Sequence, residues 1–165
     1  MPRGETLRGR RGDRAAEGMS SSAKLAVQDA DDLQIVSARL QDAVARVKDL
    51  VWLPKTHRFA ALFNRFKWED AVGGAEGLRV RAGFHLEHVL SAKSHNIQFT
   101  NREAVLSLLA IRFTPHGEDG PSGIIEFVFS GGGAIRLEVE CIEASLVDFS
   151  GEWPALGRPS HPIEA

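Results

Sequence analysis

Residues 78–90 alternate. The even positions are Leu78, Val80, Ala82, Phe84, Leu86, His88 and Leu90, and only His88 is polar. The odd positions are Arg79, Arg81, Gly83, His85, Glu87 and Val89, where Val89 alone is a large apolar residue. Successive side chains of a strand point to opposite faces. The segment therefore reads as one long strand with a dry face and a wet face, which is the habit of antiparallel sheets. A chain that contains it must supply neighbouring strands, and other segments show the same period.

Leu50–Leu53 and Arg58–Trp68 flank Pro54-Lys55-Thr56-His57 and predict a hairpin. In the second of these runs Phe59, Ala61 and Phe63 share one parity, while Phe66 and Trp68 share the other. That switch predicts a bulge near Asn64-Arg65, because an extra residue restores the inward face. Gly73-Gly74 and Gly77 mark a loop. Ile124–Phe129, the turn Ser130-Gly131-Gly132-Gly133 and Ile135–Cys141 predict a second hairpin, its return strand running on to Leu146 or Val147. Residues 100–113 carry two signals. Thr100 and Glu103 have capping-box spacing, while Leu106, Leu108, Leu109, Ile111 and Phe113 suit a buried strand. We favour a strand over about 105–114.

One helix is legible. Asp29 is placed to cap it, Asp31 and Asp32 suit the positive end of its dipole, and Leu33, Val36, Leu40 and Val44 recur on one face. The expected span is residues 30–44, with a short strand at Lys24–Val27 before it.

A chain of 165 residues with 43% hydrophobic and 25% charged residues has the make-up of one folded domain. Residues 1–22 hold five arginines, little apolar material and no core face, so an extension without structure is expected there, with Met19 as the natural start. The globular domain is expected over 23–150. The tail 151–165 carries Pro154, Pro159 and Pro162, and proline removes ladder donors, so it reads as extended. Cys141 is the sole cysteine, which excludes an internal disulfide and a multi-cysteine metal site. No apolar run reaches the ~18 residues of a spanning helix, and no apolar signal core follows the arginines. These features predict a cytoplasmic protein with no membrane partner. A net charge of −2 argues against nucleic acid as a partner.

The runs LQDAVARVKDLVWLPKTHRFAALFNRFKWE, AVLSLLAIRF and IRLEVECIEASLVDF, together with the terminal RPSHP, resemble a bacterial family known as domain of unknown function 2948. The resemblance covers about residues 24–163. It implies a bacterial cytosolic protein of this length and no activity, cofactor or catalytic residue.

The candidate chemistry is thin. On a strand, His85 and Glu87 share a face about 6.6 Å apart. Glu138 and Glu140 complete a candidate metal set of His85, Glu87, Glu138 and Glu140 if their strand lies alongside. The competing reading is a solvated face. His88 falls on the apolar parity and reads as a core or rim histidine. Cys141 reads as packed and inert, since Glu140 and Glu143 oppose thiolate formation. Gly131-Gly132-Gly133 lacks the lysine and helix of a phosphate loop. No G-x-S-x-G elbow or dinucleotide fingerprint occurs. Trp52, Trp68 and Trp153 are the candidate binding anchors, Trp153 being the one expected to dock on this domain or on a partner.

These readings predict an α+β domain: a mostly antiparallel β meander of six or seven strands, a bent sheet or barrel, with one N-terminal helix packed on it. An open sheet with two helices is the alternative, if residues 100–110 are helical. The expected function is a non-catalytic binding or adaptor domain without a cofactor, its partner another protein or a second copy in a homodimer. The alternatives are a metal-dependent enzyme built on the His/Glu set and a barrel holding a small ligand in a mouth lined by Trp52, Phe63 and Trp68.

Overall fold

The computed structural model describes residues 24–67, 78–149 and 163. The N-terminal extension, Met19, Trp68, the Gly73-Gly74 loop and the tail with Trp153, apart from Ile163, lie outside the described residues.

The expected helix is α1, Ala30–Arg39. The Asp29 carboxylate accepts the Asp32 amide at 2.8 Å, and Leu33, Val36 and Leu40 are buried. α1 stops short of the expected residue 44. Leu40 caps it, Asp42 turns left-handed at φ 68°, and the Asp42 amide donates to the Leu108 carbonyl at 2.8 Å. Pairing with a distant strand takes Val44 away from the helical repeat.

The strands are β1 Lys24–Val27, β2 Val44–Arg46, β3 Leu50–Leu53, β4 Arg58–Lys67, β5 Leu78–Leu86, β6 Val89–His95, β7 Val105–Pro115, β8 Gly123–Phe129, β9 Ala134–Val139 and β10 Ala144–Phe149. They form one bent sheet in the order β1-β10-β5-β4-β2-β7-β8-β9-β6, with β3 paired to β4, and every pairing is antiparallel. The fold is α+β as expected, and residues 105–115 are strand. Single 3₁₀ turns join β2 to β3 and β3 to β4, and a third, with Gly131 and Gly132 at positive φ, joins β8 to β9.

Two expected single strands are each broken in the middle, and the two breaks are one feature. The run 78–90 ends as β5 at Leu86 and resumes as β6 at Val89, while the run 135–147 ends as β9 at Val139 and resumes as β10 at Ala144. β5 pairs β10, and β6 pairs β9. Between them the Glu87 amide donates to the Glu143 carbonyl at 2.9 Å and the Glu140 amide to the His88 carbonyl at 3.0 Å. One continuous two-stranded ribbon therefore bends through a corner. Strands that switch layers do so at such bends. His88 makes the bend with φ 59°, so it is not a core residue: its side chain is 43% exposed and meets the Glu143 carboxylate at 2.7 Å. Past the corner the parity flips, burying Val89 and exposing Leu90. Cys141 sits half-buried in the partner bend rather than inward on a strand.

The bulge expected at Asn64-Arg65 is absent. β4 and β5 keep one register from Phe59↔Leu86 to Lys67↔Leu78. Arg65 instead takes the next inward place after Phe59, Ala61 and Phe63. It is 1% exposed, with Nε and Nη2 donating to the two carboxylate oxygens of Asp148 on β10 at 3.0 and 2.7 Å.

The core lies where the two halves of the bent sheet face each other. Phe127 on β8 meets Phe59 and Phe63 on β4 and Phe84 on β5. α1 packs on β7 and β1. Its Ser37 hydroxyl accepts the Ile111 amide at 2.9 Å, beside the register slip of β7 against β8 between Leu108 and Ala110. Ile163 is also buried in this core.

The register of β9 is open to a direct check. Leu137 is fully buried and Glu138 faces partly to solvent. Leu137→Ala is expected to cost about 2–5 kcal/mol in urea melts, and Glu138→Ala to stay within about 0.5 kcal/mol. The reverse order would mean a one-residue error in register, which flips every side chain on the strand.

Candidate functional site

β2 touches β4 at one residue pair, Val44↔Asn64. Beyond it the chain turns aside. The Val47 amide donates to the Ala104 carbonyl and the Lys48 amide to the Arg102 carbonyl, so the 3₁₀ turn Val47–Asp49 follows the segment leading into β7. The chain then returns as β3 to pair with the first half of β4, Leu50↔Ala61 to Leu53↔Arg58. The detour opens a cleft of about 450 Å³. Arg46, Lys48 and Asp49 line one side, Leu62, Asn64 and Arg81 the other, and Val105 the rim. Fully buried Phe63 lies beneath it.

The lining is cationic. Arg46, Lys48 and Arg81 approach one acid, Asp49. Glu103, ahead of β7, holds two of these bases from outside, with Oε1 3.1 Å from Arg46 Nη1 and Oε2 3.0 Å from Lys48 Nζ. The Lys48 hydrogen bond is the main reason the Glu103 carboxyl lies below its ordinary pKa. Asp49 goes the other way. Burial raises its carboxyl above the ordinary value against the pull of Lys48, Arg46 and Arg81. Arg81 stands opposite Asn64 in the β4–β5 ladder and is exposed. Three bases, the Asn64 amide and one carboxylate thus share the cleft.

The residues that the sequence singled out go elsewhere. His85 on β5 and Glu87 just past its end do border one cleft. Glu138 is on β9 and Glu140 in the bend after it, and the neighbours of β9 are β6 and β8, so the acid-rich strand does not lie alongside β5. Glu87 pairs with Arg58 at 2.9 Å. Burial first, and then Arg58, lowers the His85 pKa, with Glu87 opposing. His85 borders a separate cleft of about 250 Å³ with Lys24, Glu87, Glu143 and Ser145. Among the described residues no three His, Cys, Asp or Glu side chains group as a metal site. Two other described histidines meet acids: His88 lies 2.7 Å from Glu143 and 4.0 Å from Glu140, and His116 lies 3.9 Å from Glu138. Burial raises the Cys141 thiol, and Glu143 and Glu140 add to it, as their flanking positions imply. Trp52 is buried on β3 opposite Phe59 and serves the core rather than a surface. Trp68 and Trp153 lie outside the described residues.

The cleft was not legible beforehand. Arg81 has outward parity in the sequence, but nothing local brings it to Arg46, Lys48 and Asp49. That meeting depends on β2 joining β4 to β7, a contact between segments far apart in the chain.

No described helix is long and apolar enough to cross a membrane. No curated protein and no solved structure matches the chain. A family model described as "Protein of unknown function (DUF2948)" matches residues 23–161. With nearly the whole chain inside that match, the protein belongs to this family of unknown function.

Proposed function

We propose that this is a cytoplasmic, non-catalytic binding domain whose cleft between β2, β4 and β5 receives the anionic group of a small ligand. One observation carries the reading: Arg46, Lys48 and Arg81 converge on a single cleft in a chain whose net charge is −2. Positive charge gathered against the overall balance, with low-dielectric walls, raises the local concentration of anions. The barrel-mouth alternative has less support, since Phe59, Phe63, Phe84 and Phe127 fill the space between the sheet halves. An adaptor role rests on the tail with Trp153, outside the described residues.

Calorimetric titration with inorganic phosphate, sulfate and acetate tests the reading. The domain is expected to bind at least one of them, with affinity falling as sodium chloride is raised. Arg81→Ala removes a charge-assisted donor, worth about 1.5–3 kcal/mol, so affinity is expected to fall roughly tenfold or more. Arg81 is exposed, so its thermal melt is expected to match the wild type. Failure of all three anions to bind at tens of millimolar would sink the proposal.

A further inference from the structure

We infer that the ligand of this cleft is a small phosphate monoester that carries a hydroxyl group beside its phosphate, the three bases taking the phosphate and Asp49 the hydroxyl. The inference rests on the anion reading above and adds the chemical class.

Arg46, Lys48 and Arg81 outnumber by one the two acids at the cleft, Asp49 inside it and Glu103 outside it, and a phosphate offers three oxygens to the three bases where a carboxylate offers two. Arginine presents a planar fork that meets phosphate oxygens in pairs, and lysine adds a point charge. Glu103 grips Arg46 and Lys48 from outside the cleft at 3.1 and 3.0 Å, which holds both in place before a ligand arrives. Such preorganisation lowers the entropy lost on binding.

Asp49 is the residue that narrows the class. An acid among the bases repels a bare anion, and one built only for anions has no use for it. The Asp49 carboxylate is half-buried in the wall, and an ionised carboxylate only accepts hydrogen bonds. A ligand that places a donor there turns the repulsion into a contact. A ligand without one leaves a desolvated acceptor facing its phosphate. The apolar part of the wall, which includes Val44, Leu62 and Val105, suits a short carbon chain between the two groups. The cleft volume of about 450 Å³ fits a small metabolite rather than a polymer.

The probes are glycerol 3-phosphate, methyl phosphate and glycerol, titrated calorimetrically into the full chain and into Asp49→Ala. The wild type is expected to bind glycerol 3-phosphate about tenfold more tightly than methyl phosphate, the worth of one hydrogen bond to a charged group. Glycerol alone is expected to show no binding. In Asp49→Ala the preference is expected to collapse to about unity while methyl phosphate binds as well as before or better, since a repelling charge has gone. Retained binding of methyl phosphate shows that the variant keeps its cleft. Equal affinity of the wild type for the two phosphates would overturn the hydroxyl assignment and leave the anion reading standing. A preference that survives Asp49→Ala would overturn the role of Asp49. If neither phosphate ester binds the wild type, the inference fails; if inorganic phosphate, sulfate and acetate also fail, the anion reading falls with it.

Discussion

Phe127→Ala is expected to lower the unfolding free energy by about 3–5 kcal/mol. The Phe127 ring is fully buried on β8 and faces three others across the interior. Its centroid lies 5.5 Å from Phe59 in a tilted pair, 6.5 Å from Phe63 in a nearly parallel one and 5.5 Å from Phe84 edge-on. Separations of 4.5–7 Å are those at which aromatic pairs gain roughly 0.5–1.5 kcal/mol beyond burial. The loss combines that term with lost transfer energy and a cavity that strands on both sides hinder from closing. Phe127→Leu refills most of the space and is expected to cost clearly less. Urea melts of the two variants give the comparison. A cost under about 1.5 kcal/mol for the alanine variant would show that the sheet halves close over the gap, contrary to a core held by this ring.

Asp148→Ala is expected to cost about 3–5 kcal/mol, because it removes the carboxylate that takes two hydrogen bonds from a buried guanidinium. Arg65 is 1% exposed, and both Asp148 oxygens take its hydrogen bonds. The number is large for a reason separate from the worth of the pair. Bringing two charges out of water offsets most of their attraction, whereas removing one takes the attraction away and leaves the desolvation of the other in place. The two statements make different predictions for a double change. Arg65→Met with Asp148→Leu replaces the pair by apolar groups and is expected to recover most of the stability lost by either single change. If Asp148→Ala costs no more than about 1 kcal/mol in the same melts, water or another group takes up the guanidinium and Asp148 is not the partner that holds it in the core.

Arg65 also shows where reading the sequence falters and why. Period-two alternation correctly separates the faces of β9 and of β5 through Leu86, and it separates them by hydrophobicity alone. At Arg65 hydrophobicity points outward, while the strand continues unbroken and a carboxylate on β10 makes the inward place tenable. The partner is remote in the chain, so no local signal marks it. The run through His88 fails in the opposite sense. The histidine sits where an apolar series continues on both sides, yet the backbone there turns left-handed, and the series belongs to two layers. The cap at Asp29 and the glycine turn at 131–132 were legible because their causes are local. The cationic cleft was not, because its walls come from four strands that sequence cannot bring together.

The bent ribbon has a consequence for how the chain reaches this fold. β9 has two partners of very different cost. Ala134 pairs with Val128 across the short glycine turn and with His95 on the distant β6. Pairing across a short turn closes a small loop, and hairpins of that kind form in about 1–10 μs. The ribbon instead joins Leu86 to Ala144 and encloses β7 and β8 within the loop it closes. The entropy of that closure is lost before the contacts along the ribbon return it, and folds dominated by such distant pairings assemble in milliseconds to seconds. β8 and β9 are therefore set to pair first, and the corner at His88, which unites the two halves of the sheet, closes late.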